Sequence, residues 1–297
     1  MTNILVTGGC GFIGSNLVDI LVEDPENNVV VIDNLDTGKM ENCNEKAKYI
    51  FQDLRHVFEI ADSFEMLKDI DVVFHLAALA RIQPSFDRPS ETLDVNTKGT
   101  SLVCEYARKN NVKVVYAGSS SFYGGVYLNP YAFSKWQGEE ICKLYSEVYG
   151  VSTTIARFFN VYGPRHLRSG PYATVIGIFE KQMLFDQPLT ITGTGEQRRD
   201  FTNVKDICSA LIAMSKDTWK GEIFNLGTGT NHSINELAAM YKEDVEHIDA
   251  RPGEAWITLA DISKTQKLLG WSPNVKLQNY ISDWLSKKFS LQGEKNE

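Results

Sequence analysis

Two hydrophobic textures alternate along the first half of the chain. Short unbroken runs at Ile4-Leu5-Val6, Val29 to Ile32, Tyr49-Ile50-Phe51, Val72-Val73-Phe74 and Val114-Val115-Tyr116 have the pattern of strands buried on both faces. Between them, apolar positions recur at helical spacing. One such set is Ile13, Leu17, Ile20 and Leu21, a second runs from Val95 through Leu102, Val103, Tyr106 and Ala107, and a third is Ile141, Leu144, Tyr145 and Val148. Gly150 supplies a stop for the last helix, and Ser152 to Arg157 reads as one more strand. Strands alternating with helices predict βαβ units, hence an α/β fold with a doubly wound parallel sheet. After about residue 160 the segments shorten and glycine and proline become frequent, as in Gly163-Pro164, Gly170-Pro171 and Gly193-Thr194-Gly195. That change predicts a smaller C-terminal α/β lobe for the substrate.

Composition narrows the function classes. A length of 297 residues suits about two domains, and 43% apolar residues supply a core. The division predicted is 1–160 for the sheet domain, rejoined by segments near 200–228, with 161–297 mainly the second lobe; the terminal Gly-Glu-Lys-Asn-Glu is expected to fray. A net charge of −8 argues against a nucleic-acid or anionic-membrane partner, though not against a small anion held locally. The five cysteines are scattered without a CxxC pair and the five histidines without HxxxH spacing, so neither a disulfide framework nor a metal site is expected. No apolar run approaches the ~18 residues of a membrane span. The N-terminus lacks a basic, signal-like region. A cytoplasmic setting follows as the expectation.

Gly8-Gly9-Cys10-Gly11-Phe12-Ile13-Gly14 joins the first predicted strand to the first helix. Glycines at 8, 11 and 14 permit a tight turn, close approach of a pyrophosphate and close helix–strand packing, while the helix N-terminus offers free N–H groups. Asp33 follows nineteen residues after Gly14, at the end of the second strand. A carboxylate there hydrogen-bonds the adenosine ribose and repels a 2′-phosphate, which favours NAD over NADP. The sheet domain is therefore expected to be of Rossmann type. Downstream, Tyr131 and Lys135 stand four residues apart on one face of a predicted helix. A free tyrosine titrates near 10, so service as a base near neutrality needs about 4 kcal/mol of electrostatic help, which Lys135 and a positive nicotinamide ring can supply. A parallel strand ends at Ser119-Ser120-Ser121, where a hydroxyl can meet a reacting oxygen or simply make a turn; alternation predicts Ser119 and Ser121 on one side and Ser120 on the other.

Together these features resemble the extended short-chain dehydrogenase/reductase superfamily, in particular its nucleotide-sugar epimerases. The resemblance runs almost end to end, through TGGCGFIG, DNLDTGK, HLAALA, GSSSFYG, YAFSK, RFFNVYGPR, ITGTGEQRRDFTNVKDI, FNLGTG and ARPGEAWITLADISKTQKLLGWSP. It implies that Gly8, Gly11, Phe12, Ile13 and Gly14 hold NAD, with Asp33 and Asn34 at the adenosine ribose and Asp53 and Leu54 beside adenine. Leu76, Ala77, Ala78 and Asn96 would line the cofactor. Ser119, Tyr131 and Lys135 would be catalytic, Tyr131 and Lys135 also meeting the cofactor, with Ser121 a second hydroxyl near the sugar. Phe158 and Asn160 would flank nicotinamide and substrate. Arg199 and Arg251 would take the diphosphate of the sugar nucleotide, Arg198 being a solvated or helping charge, and Leu189, Thr190 and Ile191 would pack near its base. Thr258, seven residues beyond Arg251, would flank the sugar and leans toward tolerance of an N-acetyl group.

The resemblance also separates reactions. The 4,6-dehydratases place an Asp-Glu pair after the catalytic Ser/Thr, and the related decarboxylases a Glu at the second of those positions; here they are Ser120 and Ser121. What remains is chemistry at one carbinol: NAD-dependent 4-epimerisation of a UDP-sugar through a transient 4-keto intermediate, with glucose/galactose or N-acetylhexosamine as the sugar. A 4-keto sugar reductase or dehydratase of the same family, or a non-catalytic dinucleotide sensor, is the alternative. A homodimer through helices near 92–109 and 131–149 is implied. Two departures stand out. The link Gly124 to Pro130 is much shorter than usual, and Arg81 stands where the family often has a small residue, facing a phosphate, an acidic sugar or solvent.

Overall fold

The computed structural model describes residues 1–293, so all but the first residue of the tail expected to fray lies outside it. Strand β1 (Thr2–Thr7) leads through the glycine turn into α1 (Phe12–Leu21), then β2 (Asn27–Ile32), β3 (Lys48–Ile50), α2 (Leu54–Glu59) and β4 (Val72–His75). Two short helices, α3 (Ile82–Asp87) and α4 (Pro89–Leu93), precede a π-helical turn at Asp94–Lys98 and α5 (Gly99–Asn110). Then come β5 (Lys113–Ser119), α6 (Ser121–Gly124), α7 (Pro130–Tyr149) and β6 (Thr153–Phe158). Beyond β7 (Val161–Tyr162) follow α8 (Val175–Leu184), β8 (Leu189–Thr192), β9 (Arg198–Asp200), β10 (Thr202–Asn203), α9 (Val204–Lys216) and β11 (Lys220–Leu226). The chain closes with β12 (Asn231–Ser233), α10 (Ile234–Tyr241), β13 (Val245–Ile248), α11 (Ser263–Leu269) and α12 (Leu277–Gly293).

Seven strands form one parallel sheet in the order β11-β6-β5-β4-β1-β2-β3. The period-two geometry of the strands explains why they read as continuous apolar runs. Ile4, Val6, Val29, Val31 and Phe74 pack on one face against α1 and α9, whereas Leu5, Val30, Ile32, Val73 and Val114 pack on the other against α2 and α5. Strand order reverses between β1 and β4, and a crevice opens at such a reversal beyond the carboxyl ends of the strands. The last sheet strand, β11, comes from beyond the first 160 residues and pairs with β6.

The other strands form three two-stranded ladders, β7 with β10, β9 with β12 and β8 with β13. They enclose a separate core that includes Ile176, Phe179, Leu189, Ile191, Leu237 and Ile281. Buried Asp200 joins this lobe to the sheet: its carboxylate accepts the N–H groups of Thr228, Gly229 and Ala260 at 2.8, 3.0 and 3.1 Å. The RRDF, NLGTG and LADI segments, distant in sequence, therefore converge on one side chain. On the opposite wall Glu180, fully buried, accepts from His166 at 2.9 Å, Arg168 at 2.8 Å and the Tyr280 hydroxyl at 2.9 Å, which fixes the loop after β7. Among the described residues no helix is long and apolar enough to cross a membrane.

Candidate active site

A cavity of about 550 Å³ lies at the carboxyl ends of β1, β2, β4, β5 and β6 and is closed by the C-terminal lobe. Its floor is the glycine turn. Gly8 has φ +76°, and a Cβ there would sit 2.8 Å from the backbone N of Ala77; a Cβ on Gly14 would sit 2.1 Å from the Gly8 carbonyl. Gly11 differs, because an added Cβ would meet only the Gly8 oxygen, at 3.3 Å. Helix α1 starts at Gly11 without a side-chain cap, so the N–H groups of its first turn face the cavity uncommitted to any capping side chain. Phe12 and Ile13 line the same wall. At the end of β2 the Asp33 carboxylate accepts the N–H of Cys10 at 2.9 Å and of Leu35 at 2.8 Å, and its burial pushes its pKa up. Asn34, Asp53 and Leu54 extend that wall. Asp53 caps α2 and is held below the usual carboxylate range by Arg55, 2.6 Å away.

Leu76, Ala77 and Ala78 line the cavity after β4, but Asn96 does not. Its amide is spent on the backbone N–H and carbonyl of Leu79, at 2.8 and 3.1 Å, and on the Ser134 hydroxyl at 2.9 Å. Asn96, expected to line the cofactor, is thus placed behind this wall. His75 is a structural residue too. It is buried between the hydroxyls of Thr7 and Thr100, and burial lowers its pKa to about 3, so the imidazole is neutral.

Three hydroxyls, of Ser119, Ser121 and Tyr131, gather at the end of β5. Ser119 Oγ accepts from the Ser121 N–H at 3.2 Å, the Ser121 hydroxyl at 2.9 Å and the Tyr131 hydroxyl at 3.4 Å. Any two of these three contacts fill its lone pairs, and the Ser119 proton remains to be donated. Ser120 also lines the cavity, because the strand ends at Ser119 and the turn into α6 breaks the expected alternation. Tyr131 is placed by the start of α7. Asn129 caps that helix, Pro130 takes its first position, and the Tyr131 N–H is held by Ser85 Oγ at 3.1 Å. The short Gly124–Pro130 link is tied down where Asn129 donates to the Gly253 carbonyl at 3.1 Å.

Burial pushes the Tyr131 phenol up, while the hydrogen bond with Ser119 and the charge of Arg81 pull it down. Lys135 lies one turn further along α7, yet its ammonium stands 4.4 Å over the Tyr116 ring, and burial lowers its pKa to about 8. Arg81, which the sequence marked only as a departure, lines the same cavity, and its charge favours the ionised phenol.

The C-terminal lobe contributes the far wall. Phe158 and Asn160 line it, the Asn160 amide donating to the Asp200 carbonyl at 3.0 Å and to Thr258 Oγ1 at 3.1 Å. Arg199 and Arg251 both reach the cavity; Arg199 is paired with Glu254 at 3.3 Å, and Arg251 is exposed. Arg198 turns away to Glu236 and Asn231, both at 2.9 Å. Along β8 only Thr190 and Thr192 face the cavity, while Leu189 and Ile191 are buried in the lobe core. Of the three residues expected near the nucleotide base, strand alternation turns Thr190 to the cavity and Leu189 and Ile191 to the core. Sequence reasoning missed Tyr172, Gln197 and Glu254, which also line the cavity. None stands in a spacing motif, although Glu254 follows Arg251 within RPGE.

Comparison with known proteins agrees with this geometry. Residues 4–227 match the NAD dependent epimerase/dehydratase family. A Methanocaldococcus jannaschii protein provisionally named as a UDP-glucose 4-epimerase is 39% identical over 302 residues, covering 94% of this chain and 95% of that one. A Thermotoga maritima UDP-glucose 4-epimerase structure with UDP-glucose superimposes with a TM-score of 0.90 at 31% identity, over 97% of this chain and 100% of that one. A UDP-N-acetylglucosamine 4-epimerase from Methanobrevibacter ruminantium, in complex with UDP-N-acetylmuramic acid, gives 0.87 at 36% identity, over 98% and 99%. A glycine turn closed against β4, a serine–tyrosine pair at the end of β5, and matches along nearly the whole length lead to one conclusion: this chain belongs to the NAD dependent epimerase/dehydratase family.

Proposed function

We propose that this protein is an NAD-dependent 4-epimerase of a UDP-sugar. The observation that carries the reading is the hydroxyl cluster itself. Ser119 and Tyr131 stand 3.4 Å apart over the cavity, and the two residues after Ser119 are serines, not the carboxyls that the family's dehydratases and decarboxylases need.

The glycine turn fits a dinucleotide. Only Gly11 leaves room for a ligand over the open end of α1, and Asp33 keeps acceptor capacity beyond its two backbone bonds. Gly8, Gly11, Phe12, Ile13 and Gly14 hold the diphosphate in this reading. Asp33 and Asn34 take the ribose, and Asp53 and Leu54 flank adenine. When bound, NAD serves as acceptor and then donor of the C4 hydrogen with its electron pair.

The chain's own groups move the proton. Tyr131, as phenolate, takes it from the 4-hydroxyl and later returns it. Ser119 donates to the same oxygen in both the alcohol and the 4-keto state. Ser121 orients Ser119, and Lys135 adds positive charge on the face of α7 shared with Tyr131. Arg199 and Arg251 anchor the diphosphate, while the sugar is held loosely enough to present its other face. Thr258 and Asn160 border the sugar, and a threonine there leaves space for an N-acetyl group. Residues 1–160 with 200–228 form the cofactor half and the remainder the nucleotide-sugar lobe. The half-exposed Leu144, Val148 and Tyr149 of α7 supply an apolar face for a homodimer, which sedimentation will show as twice the chain mass.

A panel of UDP-hexoses and UDP-N-acetylhexosamines, read by sugar analysis, tests the reading. Interconversion of at least one C4 pair, with NAD retained through purification, is expected. Freely exchanging NADPH with reduction of a 4-keto sugar would move the assignment to the reductase.

A further inference from the structure

Arg81 is a charged residue in an unusual backbone state. Its φ is +142°, in the region that favours glycine, at the residue that begins α3. Backbone strain of this kind persists where the surroundings hold it, and it gathers at functional sites. Helix α3 is held from both sides: Gln83 donates to the Pro252 carbonyl at 2.9 Å, and Ser85 Oγ accepts the N–H of Tyr131 at 3.1 Å. The Arg81 side chain enters the cavity, where Nε donates to the Tyr172 carbonyl at 3.0 Å. Among the described residues its two terminal nitrogens have no hydrogen-bond partner, and no carboxylate lies in ion-pair range.

Five carboxylates line this cavity, and none serves Arg81. Glu91 is paired with Arg88, Glu254 with Arg199 and Asp53 with Arg55; Asp33 takes backbone N–H groups, and Asp36 makes no ion pair with Arg81. A partly desolvated guanidinium without a counterion is costly, and an incoming anion offsets that cost. With Nε tied to Tyr172, the end-on pair of nitrogens has the fork geometry that a carboxylate accepts.

The position of Arg81 decides which anion. Arg81 and Tyr131 line the same cavity, and Ser85, on the helix that follows Arg81, holds the Tyr131 N–H; in the proposed function Tyr131 meets the sugar's 4-oxygen. The diphosphate hangs from C1, across the ring, and Arg199 and Arg251 stand on the other lobe. C4 has two ring neighbours, C3 with its hydroxyl and C5 with its C6 substituent, and of these two positions it is C6 that becomes a carboxylate when a hexose is oxidised to a hexuronate. We propose that Arg81 is the sugar-selecting residue of this cavity, receiving a C6 carboxylate, so that UDP-linked hexuronates are preferred over UDP-hexoses. The proposal rests on the 4-epimerase reading for the placement of the sugar ring.

Calorimetric titration of the NAD-loaded protein with UDP-glucuronate and UDP-glucose tests it, alongside epimerisation of both. Wild type is expected to bind the hexuronate more tightly. Arg81→Met is expected to weaken the hexuronate roughly 10- to 100-fold more than the hexose, and Arg81→Lys to recover part of that difference. Equal losses on both sugars would assign Arg81 to the nucleotide diphosphate and overturn the proposal. Loss of bound NAD in Arg81→Met would assign it to the cofactor, with the same consequence, as would a wild type indifferent to the carboxylate. A protein that discriminates as expected but releases carbon dioxide, or leaves C4 unchanged, would sink the 4-epimerase reading and leave the carboxylate site standing.

Discussion

Asp33 is buried and Arg199 partly buried, both charged and both at the wall of one cavity, yet they are held in opposite ways. Asp33 is fixed by the backbone N–H groups of Cys10, in the glycine turn, and of Leu35, two residues further along its own loop. Arg199 is fixed by the carboxylate of Glu254 and the carbonyls of Arg198 and Trp256, two of them more than fifty residues away. The same contrast runs through the two regions. The cofactor side is shaped by glycines whose missing Cβ atoms are required and by backbone donors, so it is set before any ligand arrives. The sugar-nucleotide side is shaped by side-chain pairs that a ligand's charges can enter or replace. In the proposed function, a rigid cofactor platform facing a rearrangeable substrate wall suits one redox chemistry offered to different sugars.

The largest expected effect tests whether the chemistry sits on the rigid side. Tyr131→Phe should lower kcat by roughly 10²- to 10⁴-fold, with unchanged circular dichroism and NAD content; near-normal turnover would remove Tyr131 from the mechanism. Next comes the alternation of β8. Ile191→Ala should cost about 2–5 kcal/mol in urea unfolding with little change in KM, whereas Thr190→Ala should raise KM and barely alter stability. The reverse pattern would mean the lobe core and the cavity wall had been exchanged.

A smaller effect concerns His75 under the cofactor platform. Its folded pKa of about 3 lies below the unfolded value of 6.5, so the unfolded state binds the extra proton between those limits. Its contribution is fully present above pH 6.5 and is lost as pH falls toward 3. Melting temperatures measured from pH 7 to 5 should therefore drop less steeply in His75→Gln than in wild type. The smallest is Glu254→Gln, which frees Arg199. Tighter binding of UDP, by less than about 1 kcal/mol, is expected because the displaced pair is partly exposed; weaker binding would show that Glu254 orients Arg199 productively.

The same contrast explains what could be read in the sequence. The glycine turn, Asp33 and the Tyr131–Lys135 spacing are local patterns, and local patterns carry geometry. The alternation of apolar runs with helical spacing predicted a doubly wound parallel sheet, though not the order of its strands. What escaped depends on contacts distant in sequence or on side-chain direction. Asn96 is withdrawn from the cavity by Leu79 and Ser134. Leu189 and Ile191 could not be sorted from Thr190 until the face of the short strand β8 was known. Lys135 sits over the Tyr116 ring, while Arg81, about fifty residues before Tyr131 in the chain, lines the same cavity as Tyr131.

The central claim is a transient oxidation at C4 with the hydrogen kept inside the site. A UDP-sugar deuterated at C4, incubated with the NAD-retaining protein, tests it directly by mass spectrometry and proton NMR of the product. The account predicts the C4 epimer with deuterium still at C4 and every other carbon unchanged. Deuterium lost to solvent, or a product lacking water or carbon dioxide, would contradict it.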